Sequence, residues 1–249
     1  AFATVASQTV SAVFCAIYII RRYGIYMPSV KDWHISKALA KEMLSTGFSM
    51  GIMSSVLALG SIILQKSINN LGKEYITAHT ASRRIFEFLM MPLQAIANAC
   101  AIFVGQNFGA RLFGRIRSAM KRVLWIELAW SIIAAAAAFT GGKTFIRMLT
   151  GTGNAEIIEN AVYNLKICTV FFFPLGILFV LRNSMQAMGY KTAPVLSGGI
   201  ELAGKALSCA LVIPAFKYKG VVFTEPVIWA VCAVFLAAVY FKTKGKKMS

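Results

Sequence analysis

Apolar runs of about twenty residues decide what this chain can become, since such a run crosses a hydrocarbon layer of about 30 Å at about 1.5 Å of helical rise per residue. Seven are legible, near residues 1–20, 45–66, 82–108, 119–140, 160–188, 192–213 and 221–241. Lipid offers no partner to backbone N–H and C=O groups, and no alternating strand pattern suggests a barrel, so each run must satisfy itself as a helix. The sequence predicts an all-α membrane protein of about seven spans. Composition agrees: 58% of residues are hydrophobic and the mean hydropathy is +0.68, above the range of soluble domains.

A net charge of +17 raises nucleic acid as a partner. The basic residues, however, sit in short loops rather than on an aromatic-interleaved face, so the expected partner is the lipid bilayer and not nucleic acid. The first and third loops, Lys191 in the fifth and the C-terminal tail together hold 15 Lys and Arg, against 8 in the alternate loops. Positive residues stay on the cytoplasmic side, which predicts cytoplasmic first, third and fifth loops and C-terminus. Ala1 already lies within an apolar run that lacks the basic start of a signal peptide, so this run reads as the last helix of a preceding lobe and the chain as a fragment. The segment "DWHISKALAKEML" (32–44) has the spacing of an amphipathic surface helix, with Trp33 at interface level. All five cysteines fall in apolar runs without paired spacing and read as small buried hydrophobes.

Polar groups inside the runs carry the functional expectation, because each is costly in lipid. Gln65 and Asn69 stand four apart on one helix face. Gln106 and Asn107 lie beside Gly105 and Gly109, whose spacing allows close helix approach with amides bonding across it. "LRNSMQAMG" places Arg182, Asn183 and Gln186 near the end of the fifth run. Gly189 can stop that helix and Pro194 can start the next, which makes a hairpin. Arg182 then lies roughly 10 Å up one arm and Glu201 roughly 13 Å up the other, within a turn of each other. Lys205 follows Glu201 by four, so one deep carboxylate has two candidate cationic partners. The cluster reads either as a static bridge or as a cavity wall where Glu201 changes proton or partner. Glu87 is expected to pair locally with Arg83 or Arg84, and Glu127 to snorkel toward Lys121 and Arg122. No zinc, nucleophile, phosphate-loop or redox motif is present, so neither enzyme activity nor a cofactor is expected.

These pieces also resemble a known family in their order: "GFSMGIMSS" (47–55), "IILQKSINNLG" (62–72), "AHTASRRI" (78–85), "FVGQNFGA" (103–110), "LRNSMQAMGYK" (181–191), "IELAGK" (200–205) and "EPVIWA" (225–230). The chain resembles the multidrug and toxic compound extrusion (MATE) transporters, most closely bacterial members of the DNA-damage-inducible protein F-like branch. The resemblance implies twelve helices in two six-helix lobes. Residues 1–20 would be the last helix of a missing N-terminal lobe, 21–44 the cytoplasmic inter-lobe loop, and 45–249 the C-terminal six-helix lobe. It implies a multi-pass protein of a bacterial plasma membrane, half of an antiporter that exports small cationic amphipathic drugs or metabolites in exchange for protons or sodium. The carboxylates of sodium-coupled relatives fall on Leu57 and Ile177, so the coupling ion stays open. A lipid-linked oligosaccharide flippase of the same superfamily and a non-transporting membrane scaffold are the alternatives.

Overall fold

A computed structural model describes residues 2–24, 36–151 and 153–247. Nine α-helices follow one another along the described residues: α1 (Phe2–Arg22), α2 (Lys37–Asn69), α3 (Lys73–Gly109), α4 (Phe113–Thr150), α5 (Ala155–Val170), α6 (Phe172–Ala187), α7 (Thr192–Leu207), α8 (Ile213–Phe216) and α9 (Tyr218–Lys247). Six stretches are long and apolar enough to span a bilayer, and α5 with α6 add a seventh as a bent pair. The chain divides into two compact units, Ala1–Ser45 and Thr46–Ser249. In the first, α1 buries none of its side chains, and Cys15 is exposed rather than buried as the sequence suggested. Cys209 is half-buried, while Cys100, Cys168 and Cys232 are buried as expected.

The helices outrun the apolar segments that announced them. α3 has 37 residues and α4 has 38, so each is roughly 55 Å long against a hydrocarbon layer of about 30 Å. Hydropathy stops at the first charges, whereas the backbone continues, since residues 73–82 contain no glycine or proline to interrupt the ladder. Of the amphipathic stretch over 32–44, Lys37–Leu44 are helical and form the opening turns of α2. Residues 32–35, with Trp33 and His34, lie outside the described residues.

The fifth run is not one straight helix. It breaks at Phe171 with a bend of 51° between α5 and α6. Pro174 explains the position, because its ring clashes with the carbonyl four residues back, that of Val170, and it has no N–H to offer. Pro214 acts similarly on Ala210, where the chain widens into a π-helical turn over Ser208–Val212 before α8. The predicted hairpin between α6 and α7 is present. Gly189 has φ of +81°, its N–H reaches the Gln186 carbonyl at 2.9 Å, and the Tyr190 N–H reaches that of Met185 at 2.9 Å. This double closure needs a left-handed residue, which glycine adopts without a Cβ penalty.

The main core joins α3, α4, α6 and α9 through Leu93, Val104, Ile116, Leu175, Leu178 and Leu236. Phe86 forms its aromatic centre, edge-on to Phe172 at 5.4 Å and stacked on Trp229 at 5.5 Å. Offset and edge contacts of this kind add about 0.5–1.5 kcal/mol beyond area burial. This core fixes the positions from which α3, α6, α7 and α9 direct their charged side chains toward one another.

Candidate functional site

Six charged side chains join into one line across four helices. Arg182 of α6 donates from a terminal guanidinium nitrogen to Oε2 of Glu201 on α7 at 3.2 Å. Lys205, one turn on, lies with Nζ 3.4 Å from Glu201 Oε1 and 3.0 Å from Oε1 of Glu225 on α9. Glu225 Oε2 accepts from Arg83 of α3 at 2.8 Å, and the Arg83 Nε donates to Glu87 Oε1 at 3.1 Å. The line alternates in sign, with three cations and three carboxylates, and sums to zero. Such balance is what allows deep ions in lipid, since each is expensive alone.

The first four members of the line are buried, and only the pair on α3 is open. Lys205 is 2% exposed, whereas the side chains of Arg83 and Glu87 are 37% and 49% exposed. Small residues make room at the dry end: a Cβ on Gly60 of α2 would stand 3.1 Å from Lys205 Cδ, so the lysine stem lies in a glycine notch. Arg182 is held further by Ser197, whose Oγ accepts from its Nε at 3.1 Å and donates to the Pro194 carbonyl at 2.6 Å. At the wet end the line meets a cavity of about 470 Å³, lined by Gln65, His79, Arg83, Arg84, Glu87 and Glu225 among others. His79 leads on to Asn164 of α5, whose amide also donates to Ser82.

The sequence-derived residues do not all meet there. Arg182, Glu201 and Lys205 come together as the hairpin arithmetic required. Gln65 lines the cavity and donates to Asn69 at 2.9 Å along its own helix. Asn183 and Gln186 turn instead to a second groove of about 520 Å³ with Asn98 and Met50. There Asn183 donates to Asn98 of α3 at 2.9 Å, and Gln186 to the Met53 sulfur at 3.4 Å. Gly105 packs closely against Ala187, as its small size suggested, but nothing lies within 4 Å of a Cβ on Gly109. The amides there do not bond across the contact: Asn107 donates to its own helix at Phe103, and Gln106 is exposed.

Two carboxylates behave differently from the sequence expectation. Glu87 pairs with Arg83 as expected, but Arg83 also reaches 142 residues along the chain to Glu225, which sequence reasoning assigned no role. A charge tally held the signal, since Arg182 and Lys205 against Glu201 alone leave one deep cation in excess. Glu225, inside an apolar run beside Pro226, was the acid available to balance it. Glu127 does not snorkel toward Lys121 and Arg122. It is 0% exposed, and among the described residues no protein group hydrogen-bonds to either carboxylate oxygen.

Comparison with known proteins gives this architecture a context. The family model MatE matches residues 49–204. The multidrug export protein MepA of Staphylococcus aureus is 21% identical over 238 residues, covering 94% of this chain and 51% of that protein. The probable multidrug resistance protein YoeA of Bacillus subtilis is 19% identical over 259 residues, covering 100% of this chain and 55% of its own length. The chain thus spans about half the length of the curated relatives it matches. A crystal structure of MATE in complex with MaL6 superposes at a TM-score of 0.87 with 16% identity, over 100% of this chain and 57% of that one. An outward-facing multidrug resistance MATE family transporter of the MOP superfamily superposes at 0.86 with 16% identity, over 100% and 56%.

Proposed function

The chain belongs to the MatE family, and from that membership we propose that it forms the C-terminal half of a multidrug efflux antiporter. In this reading residues 1–20 close an N-terminal lobe, 21–44 link the lobes on the cytoplasmic side, and 45–249 form the C-terminal lobe. The complete protein sits in a bacterial plasma membrane and exports cationic amphipathic compounds by alternating access, in exchange for protons or sodium.

One observation carries the proposal: a neutral, alternating line of six charges runs from a dry helix hairpin to a cavity of about 470 Å³. A line of this kind can change partners at little net cost, because each freed carboxylate or cation leaves a neighbour of opposite sign within reach. Glu87 and Glu225 bring two carboxylates to the cavity beside Arg83 and Arg84, so a cationic ligand can take the place of an arginine on either acid. When a cation occupies Glu225, Arg83 keeps Glu87 and Lys205 keeps Glu201, so no deep charge is stranded. The polar cluster is better suited to exchange than to a fixed scaffold, because its outer pairs face the cavity.

Vesicles carrying the complete protein test this. With a cationic dye on one side, an imposed proton or sodium gradient should drive dye accumulation, and the gradient that works identifies the coupling ion. Movement of a lipid-linked oligosaccharide with no response to dyes would instead support the flippase reading. Transport of neither under any gradient would leave a scaffold.

A further inference from the structure

Glu127 lies apart from the line of charges. It stands within the span of α4 and is 0% exposed, and no protein group among the described residues bonds to Oε1 or Oε2. Its carboxyl occupies a notch on α6 made by the absence of a side chain: a Cβ on Gly176 would lie 2.8 Å from Oε2 and 3.2 Å from the carboxyl carbon. A carboxylate desolvated without a counter-charge is far costlier than the neutral acid in the same place. We propose that Glu127 is a proton-binding site, whose carboxyl holds a proton while α6 is packed on α4 and releases it when α6 moves away.

The surroundings support a proton rather than a metal or an ion pair. On α3, the titratable group that feels Glu127 is the buried thiol of Cys100, which lies within reach of Ser184 Oγ at 3.8 Å and carries no positive charge. On α6, Arg182 is turned to Ser197 and Glu201. On α5, Lys166 sits over the Phe139 ring at 5.0 Å, three turns and more along α4 from Glu127. On α4 itself, Lys121 and Arg122 precede it by six and five residues, on other faces of the helix, and among the described residues neither bonds to its carboxylate oxygens. Among the described residues no group of acids, imidazoles or thiols gathers to hold a metal ion.

The position also gives the proton a means of coupling. Gly176 follows the break at Phe171 by about a turn, at the start of the half-span that ends with the α6–α7 hairpin. Arg182 lies six residues further along this same rigid piece, facing α7. Loss of the proton would place a charge in the Gly176 notch, and the relief is movement of α6 that admits water to take up the proton. That movement carries Arg182, and with it the inner end of the charge line. Proton binding at Glu127 and partner exchange at Glu201 would then be two readouts of one displacement.

This inference rests on the exporter reading for its purpose but not for its first test. Infrared spectra of the complete purified protein should contain the carbonyl band of a protonated, buried carboxyl at neutral pH. In Glu127→Gln the band should vanish; in Glu127→Asp, which keeps the acid, a shifted band should remain. A band unchanged in Glu127→Gln overturns the proposal. The second arm follows affinity for a cationic dye against pH. Parent affinity should change by up to about tenfold per pH unit where Glu127 titrates, and Glu127→Gln should bind dye with a flat profile. The same pH dependence in parent and variant removes Glu127 from coupling. A band that depends on Glu127 in a protein that binds no dye would retain the proton site and sink the exporter reading instead.

Discussion

Two buried carboxylate environments meet α6, one at Arg182 and one at Gly176. Toward α7, Glu201 is one of six charges joined at 2.8–3.4 Å, each compensated by the next. Toward α4, Glu127 rests against a glycine with no ion pair at all. Lipid-spanning helices thus admit an acid in two ways, as an ion with balanced partners or as a neutral group in an apolar notch. The first way suits exchange of charged partners, and the second suits taking up and releasing a proton. A single half-helix after a proline break touches both.

The difference can be broken by mutation, and the largest effect should come from the middle of the line. Lys205→Ala leaves Glu201 with Arg182 alone and Glu225 with Arg83 alone, one buried cation short of balance, which should cost about 3–5 kcal/mol. Unfolding of the purified protein in detergent measures it, and a change below about 1 kcal/mol would mean that the line is far wetter than its burial implies.

On the other side, Gly176→Ala pushes a methyl into the Glu127 carboxyl and should cost about 1–3 kcal/mol. In a Glu127→Ala background the same substitution should cost little or even fill space. A double-mutant cycle reports the difference as a coupling of about 1–2 kcal/mol, and additive effects would separate the two residues. Glu87→Ala, at the exposed end, should change stability by less than about 1 kcal/mol, because water replaces the lost contact with Arg83. The ordering of Lys205 above Glu87 tests whether compensation matters more as burial deepens.

Much of this was legible in the sequence, for reasons that differ by residue. Span count followed from apolar length, and the Arg182–Glu201–Lys205 cluster from hairpin depth, since Gly189 marks where both arms begin. Helix ends were harder, because residues 73–82 are polar yet carry nothing that stops a helix. The break at Phe171 was written in Pro174, but the surrounding "FFFPLGILFVL" is so apolar that hydropathy hid it. Glu225 was recoverable by charge balance alone, whereas its contact with Arg83 needed the fold to bring α3 and α9 together. The solitude of Glu127 was only partly readable: it follows Lys121 and Arg122 by six and five residues, a spacing that a helix turns onto other faces, but its place against Gly176 needed the packing of α4 on α6.

The most direct test is efflux of a cationic dye by cells carrying the complete protein with Glu201→Gln. The substitution keeps the shape of the side chain and removes the charge that links Arg182 to Lys205. If partner exchange along the line drives export, efflux should fall at least about tenfold while the protein remains folded in the membrane, a loss of about 1.4 kcal/mol or more in the limiting step. Efflux equal to that of the parent would contradict the account and leave the charges as a fixed clasp between helices.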